Sequence, residues 1–172
     1  MSLEIFKTRV LPVKDKLYRF AKYLLNDEEE AMDVVQEVLI KVWNNRENMD
    51  QLQNMEAWCM KITRNLSLDR MKTKYHKMTD PLQEGYDRSG GEDQTPYYSV
   101  EMNDTMKSIG NFIQALPEKQ RQVIQLRDVE GYSYSEIADI LEIDINQVKV
   151  NLFRARKAIK GKILKINAYG LE

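Results

Sequence analysis

Gln147, Lys149, Val150, Asn151, Phe153, Arg154 and Arg156 gather within ten positions near the end of this 172-residue chain. Together they can read the edges of base pairs. Glutamine and asparagine match the paired donor and acceptor of adenine. Lysine and arginine match guanine or a phosphate, and valine or phenylalanine fits a thymine methyl. Such side chains act together only from a rigid support. Val148, Leu152, Ala155 and Ile159 recur between them at helical spacing, which predicts a helix from Ile145 to about Ile163. Ser133 followed by Glu136 is a capping-box pattern, and it opens a shorter helix to about Leu141. Asp144 followed by Gln147 repeats the pattern at the start of the longer one. Two helices joined by a turn of about three residues make a helix-turn-helix over Ser133–Lys157, with Val148 and Leu152 packed on Ile137, Ala138 and Ile140 or Leu141. The second helix of that motif enters the major groove. Lys157, Lys160 and Lys162 then suit phosphates, and Phe153 serves either as a base contact or as a core residue.

Two further sets of side chains could carry chemistry. Lys61, Arg64, Asn65 and Arg70 form a second basic surface beside Trp58, a combination that can hold single-stranded DNA by backbone attraction and stacking. Trp58 equally suits a core. Asp33, Gln36 and Glu37 share one helical face opposite a valine stripe, as either a solvated surface or a docking site for a basic protein partner. The single histidine, His76, and the single cysteine, Cys59, supply no catalytic or multi-cysteine metal constellation. An enzyme with its own metal, cofactor or small-molecule substrate therefore has little support.

The elements that position these groups are helical. Ala31, Val34, Val35, Val38, Leu39 and Val42 form one continuous apolar stripe, Leu3–Leu25 reads as an earlier helix, and Met55–Lys74 reads as a later one with Trp58, Ile62 and Leu66 in register. Pro117 fits a first helical residue of a segment ending near Val129, and Gly131 supplies its stop. Between the halves, Asp80–Tyr98 holds Pro81, Gly85, Gly90, Gly91 and Pro96 in an acidic, aliphatic-poor run, which reads as a flexible linker. The expected architecture is all-α. Two small helical domains, residues 1–78 and 105–170, are joined by an acidic linker over residues 79–104.

The net charge of −1 hides blocks of opposite sign. Residues 26–37 carry acids and no base, and residues 147–165 carry bases and no acid. Where charge sits decides what it attracts, so these blocks point to partners of different charge. No apolar run approaches the ~18 residues that span a bilayer. Charged residues interrupt the first twenty positions, unlike a secretory signal. A cytoplasmic protein without membrane insertion is expected, with Leu171 and Glu172 read as a cloning remnant.

Taken in order, these segments resemble a bacterial RNA polymerase sigma factor of the extracytoplasmic-function group. Ala31–Trp43 is similar to the family's core-polymerase helix, and Ala57–Arg70 to its −10-reading helix. Leu116–Arg121 with Gly131–Ala138 resembles the entry to its −35-reading domain, and Val148–Lys157 its recognition helix. The resemblance implies that Asp33, Gln36 and Glu37 dock on core RNA polymerase. It implies that Lys61, Arg64, Asn65 and Arg70 face the melting −10 element, while the Asn44–Gln53 loop captures a flipped base. Lys149, Val150, Phe153 and Arg154 would read the −35 element of promoter DNA, and an anti-sigma factor would be a further partner. The turn Leu141-Glu142-Ile143 departs from the family, which commonly has glycine after the leucine. Glu142 is thus expected in a left-handed conformation that favours glycine. Asn146-Gln147 and Val150-Asn151 also replace frequent family residues, which bears on −35 sequence choice. A self-sufficient helix-turn-helix regulator, with the first bundle serving dimerisation or sensing, is the main rival. It leaves the Asp33 face and the Lys61–Lys77 block unexplained.

Overall fold

The computed structural model describes residues 3–79 and 104–169, and those residues contain helices and no strand. The linker expected over residues 79–104 lies outside the described residues apart from its two ends.

The first helical run is α1 (Leu3–Ile5), a π turn (Phe6–Val10), a 3-10 turn (Leu11–Val13) and α2 (Lys14–Leu25). Pro12 has no N–H for an α-helical ladder, and the irregular turns sit around it. Asn26 closes α2 in the left-handed region (φ 51°) and donates its N–H to the Lys22 carbonyl at 2.8 Å. Asparagine tolerates that conformation better than most residues. The Asp27 side chain then accepts from Glu30 N at 3.0 Å and opens α3 (Glu28–Asn44). Three glutamates in the first turn of α3 lie against the positive end of its dipole. Part of the acidic block therefore starts a helix as well as marking a surface.

The valine stripe is buried as its spacing requires: Ala31, Val34, Val35, Val38 and Val42 face Leu17, Phe20, Ala21 and Leu24 of α2. A 3-10 turn (Arg46–Gln51) leads to α4 (Met55–Thr79), which extends beyond the expected Lys74. The face of α4 differs from the sequence reading. Ala57, Cys59, Met60, Thr63 and Ser67 are its buried residues, while Trp58, Ile62 and Leu66 are half-buried at the margin of the core. Because α4 touches α2, α3 and α7 together, no single apolar stripe could describe it. Burial pushes the Cys59 thiol up to about 12, reinforced by the charge of Glu56.

In the second half, α5 (Asp104–Gln114) packs on the last helix, an element the sequence reading did not assign. Pro117 is the residue before α6 (Glu118–Ile124) rather than its first helical residue, with an extended ψ of 142°. A π turn (Gln125–Val129) follows α6, and Gly131 reverses the chain at φ 81°. The capping box forms at the start of α7 (Tyr134–Leu141): Glu136 N donates to Ser133 Oγ at 3.2 Å, and Ser133 N donates to Glu136 Oε2 at 2.7 Å. Glu142 ends α7 at φ 55°, and Ile143 N donates to the Ala138 carbonyl at 3.1 Å. Asp144 caps α8 (Ile145–Tyr169) through Asn146 N at 2.7 Å, one position before the expected Gln147. Val148, Leu152 and Ala155 bury against Ile137, Ile140 and Leu141.

The buried apolar residues of both halves form one contiguous core. We expect Ser133→Ala to cost about 1 kcal/mol by removing one arm of the capping box, measured as a lower urea midpoint with an unchanged slope.

Candidate nucleic-acid interface

Helix α8 holds the predicted base readers through its buried seam. With Val148, Leu152 and Ala155 turned inward, Gln147, Lys149, Val150, Phe153 and Arg154 lie exposed, and Asn151 is half-buried with its amide on the Gln147 carbonyl at 2.8 Å. Phe153 is 68% exposed, which decides its role against the core. Val150 is 44% exposed beside it. A shallow groove runs between Tyr134 on α7 and Lys149, Phe153 and Lys157 on α8. Arg127 stacks on the Tyr134 ring at 4.8 Å at its edge.

Arg156 is placed differently from its neighbours. Its guanidinium forks onto the Asp128 carboxylate, with Nε to Oδ2 at 3.1 Å and a second nitrogen on Oδ1. That hydrogen bond also raises the arginine pKa. Two-point pairing fixes a planar group more firmly than one charge contact does. Arg156 therefore braces α8 against the π turn that follows α6.

The predicted −10 residues divide into two groups. Lys61 and Arg64 face the helix-turn-helix: Lys61 Nζ meets Glu142 Oε1 at 2.9 Å, Arg64 lies 4.0 Å from the other Glu142 oxygen, and Arg64 Nε donates to buried Gln122 at 3.3 Å. Arg64 also donates to the Asn65 side-chain oxygen at 3.3 Å. Arg70 instead joins the acidic face of α3, at 2.6 Å from Glu30, 3.3 Å from Glu37 and 4.0 Å from Asp33. The Glu30 hydrogen bond raises its pKa most, with Glu37 adding to it. On that face Asp33 and Gln36 are exposed, and Glu37 also meets Lys41 at 3.3 Å.

A polar seam between the halves was absent from the sequence reading. Arg19 grips Glu130 with two nitrogens at 2.9 and 2.8 Å, and the Glu130 side chain is only 2% exposed. Tyr132, 4% exposed, donates its hydroxyl to Glu56 at 2.7 Å, and Lys16 meets the same carboxylate oxygen at 2.6 Å. Burial, then the Glu56 hydrogen bond and charge, hold the Tyr132 phenol far above its usual range. Burial pushes the Tyr23 phenol up to about 12 where it donates to the Arg121 carbonyl at 3.3 Å. Asn54 donates to Glu136 at 2.8 Å. These pairs join residues dozens of positions apart, so no local pattern announces them.

The chain matches two family models in order: Sigma-70 region 2 over residues 10–76 and Sigma-70 region 4 over residues 106–159. It belongs to the sigma-70 family. Among curated relatives, this sigma factor is 30% identical over 154 residues to the ECF RNA polymerase sigma factor SigE of Mycolicibacterium smegmatis, covering 88% of the chain and 58% of the relative. It is 29% identical over 157 residues to SigW of Bacillus subtilis, covering 87% of the chain and 84% of the relative. Such relatives put it in the extracytoplasmic-function group. Among solved structures it is similar to the sigma factor RpoE, in complex with the anti-sigma factor NepR from Bartonella quintana. That likeness has a TM-score of 0.73 at 27% identity, over 94% of this chain and 98% of that one.

In this sigma factor Glu136, shared by the capping box and the seam, carries a pH response. The Ser133 N–H, the Asn54 amide and the Lys16 charge hold the Glu136 carboxyl below its usual 4.5. A depressed carboxylate pKa contributes stability that is present above the unfolded value and drains away as pH falls through the folded one. We expect the denaturation midpoint to fall on acidification below about pH 4.5, and Glu136→Gln to flatten that acid limb in a urea titration series.

Proposed function

We propose that this sigma factor binds core RNA polymerase and directs it to promoters through a −10 and a −35 element. The observation that carries the reading is the order of its parts. A region 2 match precedes a region 4 match whose recognition helix presents exposed Lys149, Val150, Phe153 and Arg154. Phosphate contacts would position that helix, and base-edge contacts would give it sequence choice. We assign Asp33, Gln36 and Glu37 to polymerase docking, supported by the exposure of Asp33 and Gln36 on α3; Glu37, half-buried, is paired with Arg70 and Lys41. Lys61, Arg64 and Asn65 are assigned to the −10 strand, with the Asn44–Gln53 loop taking a flipped base. Arg70 joins them only by leaving Glu30 and Glu37.

The proposed units are residues 1–78 for polymerase and −10 binding, 79–104 as the connection, and 105–170 for the −35 element. RNA synthesis belongs to the polymerase, with no catalytic step or cofactor assigned to this chain. An anti-sigma factor is a proposed partner, since RpoE was solved with one. No described helix is long and apolar enough to cross a membrane, and a cytoplasmic site of action is proposed from the family.

Promoter-directed RNA synthesis by core polymerase, with and without the protein, tests the reading on promoters from its own genome. Stimulation is expected, and no stimulation on any of them would favour the self-sufficient regulator. Asp33→Arg is expected to abolish pull-down of core polymerase with the far-ultraviolet spectrum unchanged; undiminished capture would remove the docking assignment. Arg154→Ala is expected to weaken −35-dependent initiation by about 1–3 kcal/mol, the range of a base-edge contact. Equal loss on promoters with intact and scrambled −35 elements would refute that role.

A further inference from the structure

Near the end of α3, the half-buried Trp43 is held between two side chains. The Phe6 ring, from the first π turn, meets it edge-on with centroids 5.4 Å apart and planes at 78°. Arg46, the first residue of the 3-10 turn, lies over the indole with its guanidinium carbon 4.8 Å from the ring centroid. The same guanidinium donates Nη1 to the Trp43 carbonyl at 3.1 Å. A ring beneath and a hydrogen bond at one edge hold this planar cation in one orientation, although it is only half-buried. The turn around it is also fixed. Met49 anchors it at 4% exposure, Asn45 commits its amide to the Lys41 carbonyl at 3.1 Å, and Asn44, Glu47 and Asn48 are exposed.

A cation that serves only to attract phosphate needs no such support, because a flexible point charge does as well. Glu47, exposed and next in the chain, would repel a phosphate and leave a neutral base unaffected. A guanidinium braced on an indole offers its flat face, and unpaired bases stack on such planes. We propose that Arg46 is the stacking platform for the flipped −10 base, a layer between that base and the Trp43 indole, with Phe6 as a positioning residue acting through Trp43. The platform rests on the reading above in which the Asn44–Gln53 loop takes such a base. Stacking tolerates any base, so choice falls to the exposed amides of Asn44 and Asn48 at the base edge.

The test uses holoenzyme formed from core polymerase and the full chain, with a fluorescein-labelled fork-junction DNA carrying the −10 element of a promoter it initiates from. A companion series replaces each −10 nucleotide of the unpaired strand in turn by an abasic sugar, and affinities are read by anisotropy. In the parent, one abasic position is expected to weaken binding about tenfold, within the range of one stacked base. Arg46→Lys keeps the charge and removes the plane. It is expected to bind intact DNA about fivefold more weakly and abasic DNA as the parent does, so its abasic penalty shrinks to about twofold. Phe6→Leu is expected to lose less, at that position alone, and unchanged discrimination would remove Phe6 from the positioning role. An equal loss on intact and abasic DNA in Arg46→Lys overturns the platform, since a phosphate contact or a fold defect gives that pattern. If the parent discriminates and Arg46→Lys does so equally, the platform falls alone. If the parent is indifferent to every abasic position, the flipped-base reading falls and the platform with it.

Discussion

Helix α4 must satisfy three neighbours at once, and the arrangement of the molecule follows from that requirement. It packs against α2 and α3 inside the first half and against α7 of the second. Small and flexible residues let it do so: Ala57, Cys59, Met60, Thr63 and Ser67 occupy its buried surface. Thr63 satisfies its buried hydroxyl on the Cys59 carbonyl at 2.9 Å, so its polarity is accommodated within the helix itself. Lys61 and Arg64 of α4 are consequently brought against the turn after α7, where both face Glu142.

Charge is sorted by the same geometry. The acids at the start of α3 favour its N-terminus, and some of them also hold Arg70. Glu130, Glu136 and Glu142 of the second half are each matched by a donor from the first, beside buried Tyr132 and half-buried Tyr23. Exposed pairs of this kind add little stability individually. Their value lies in alignment, because they fix how two units sharing one apolar core face each other. Glu130 differs, since its carboxylate is almost fully buried and depends on Arg19 for neutralisation.

Local signals were the legible part of the sequence. The valine stripe of α3, the Ser133–Glu136 capping box, the Gly131 turn and the inward Val148–Leu152–Ala155 row each lie within one or two helical turns, and each formed as read. Glu142 also takes the left-handed conformation that its place after Leu141 implied. On α4 and α5 local periodicity ceased to decide. On α4, packing on several sides replaced one stripe by a broader set of small residues. On α5, Met106, Ile109, Phe112 and Ile113 do carry helical spacing, but the preceding acidic run obscured it. The contacts of Arg70, Arg156, Lys61 and Arg64 depend on partners distant in sequence, which spacing alone does not reveal.

Cys59 has a practical consequence for studying how the two halves move. It is the chain's one cysteine, fully buried, with its thiol pushed up to about 12. Thiol reagents attack the thiolate, so at neutral pH this sulfur is close to inert while the protein remains folded. A cysteine introduced on the outer surface of each half would therefore accept a dye with the native residue left in place. The molecule comes suited to distance measurements between its halves, and labelling at Cys59 itself would report unfolding.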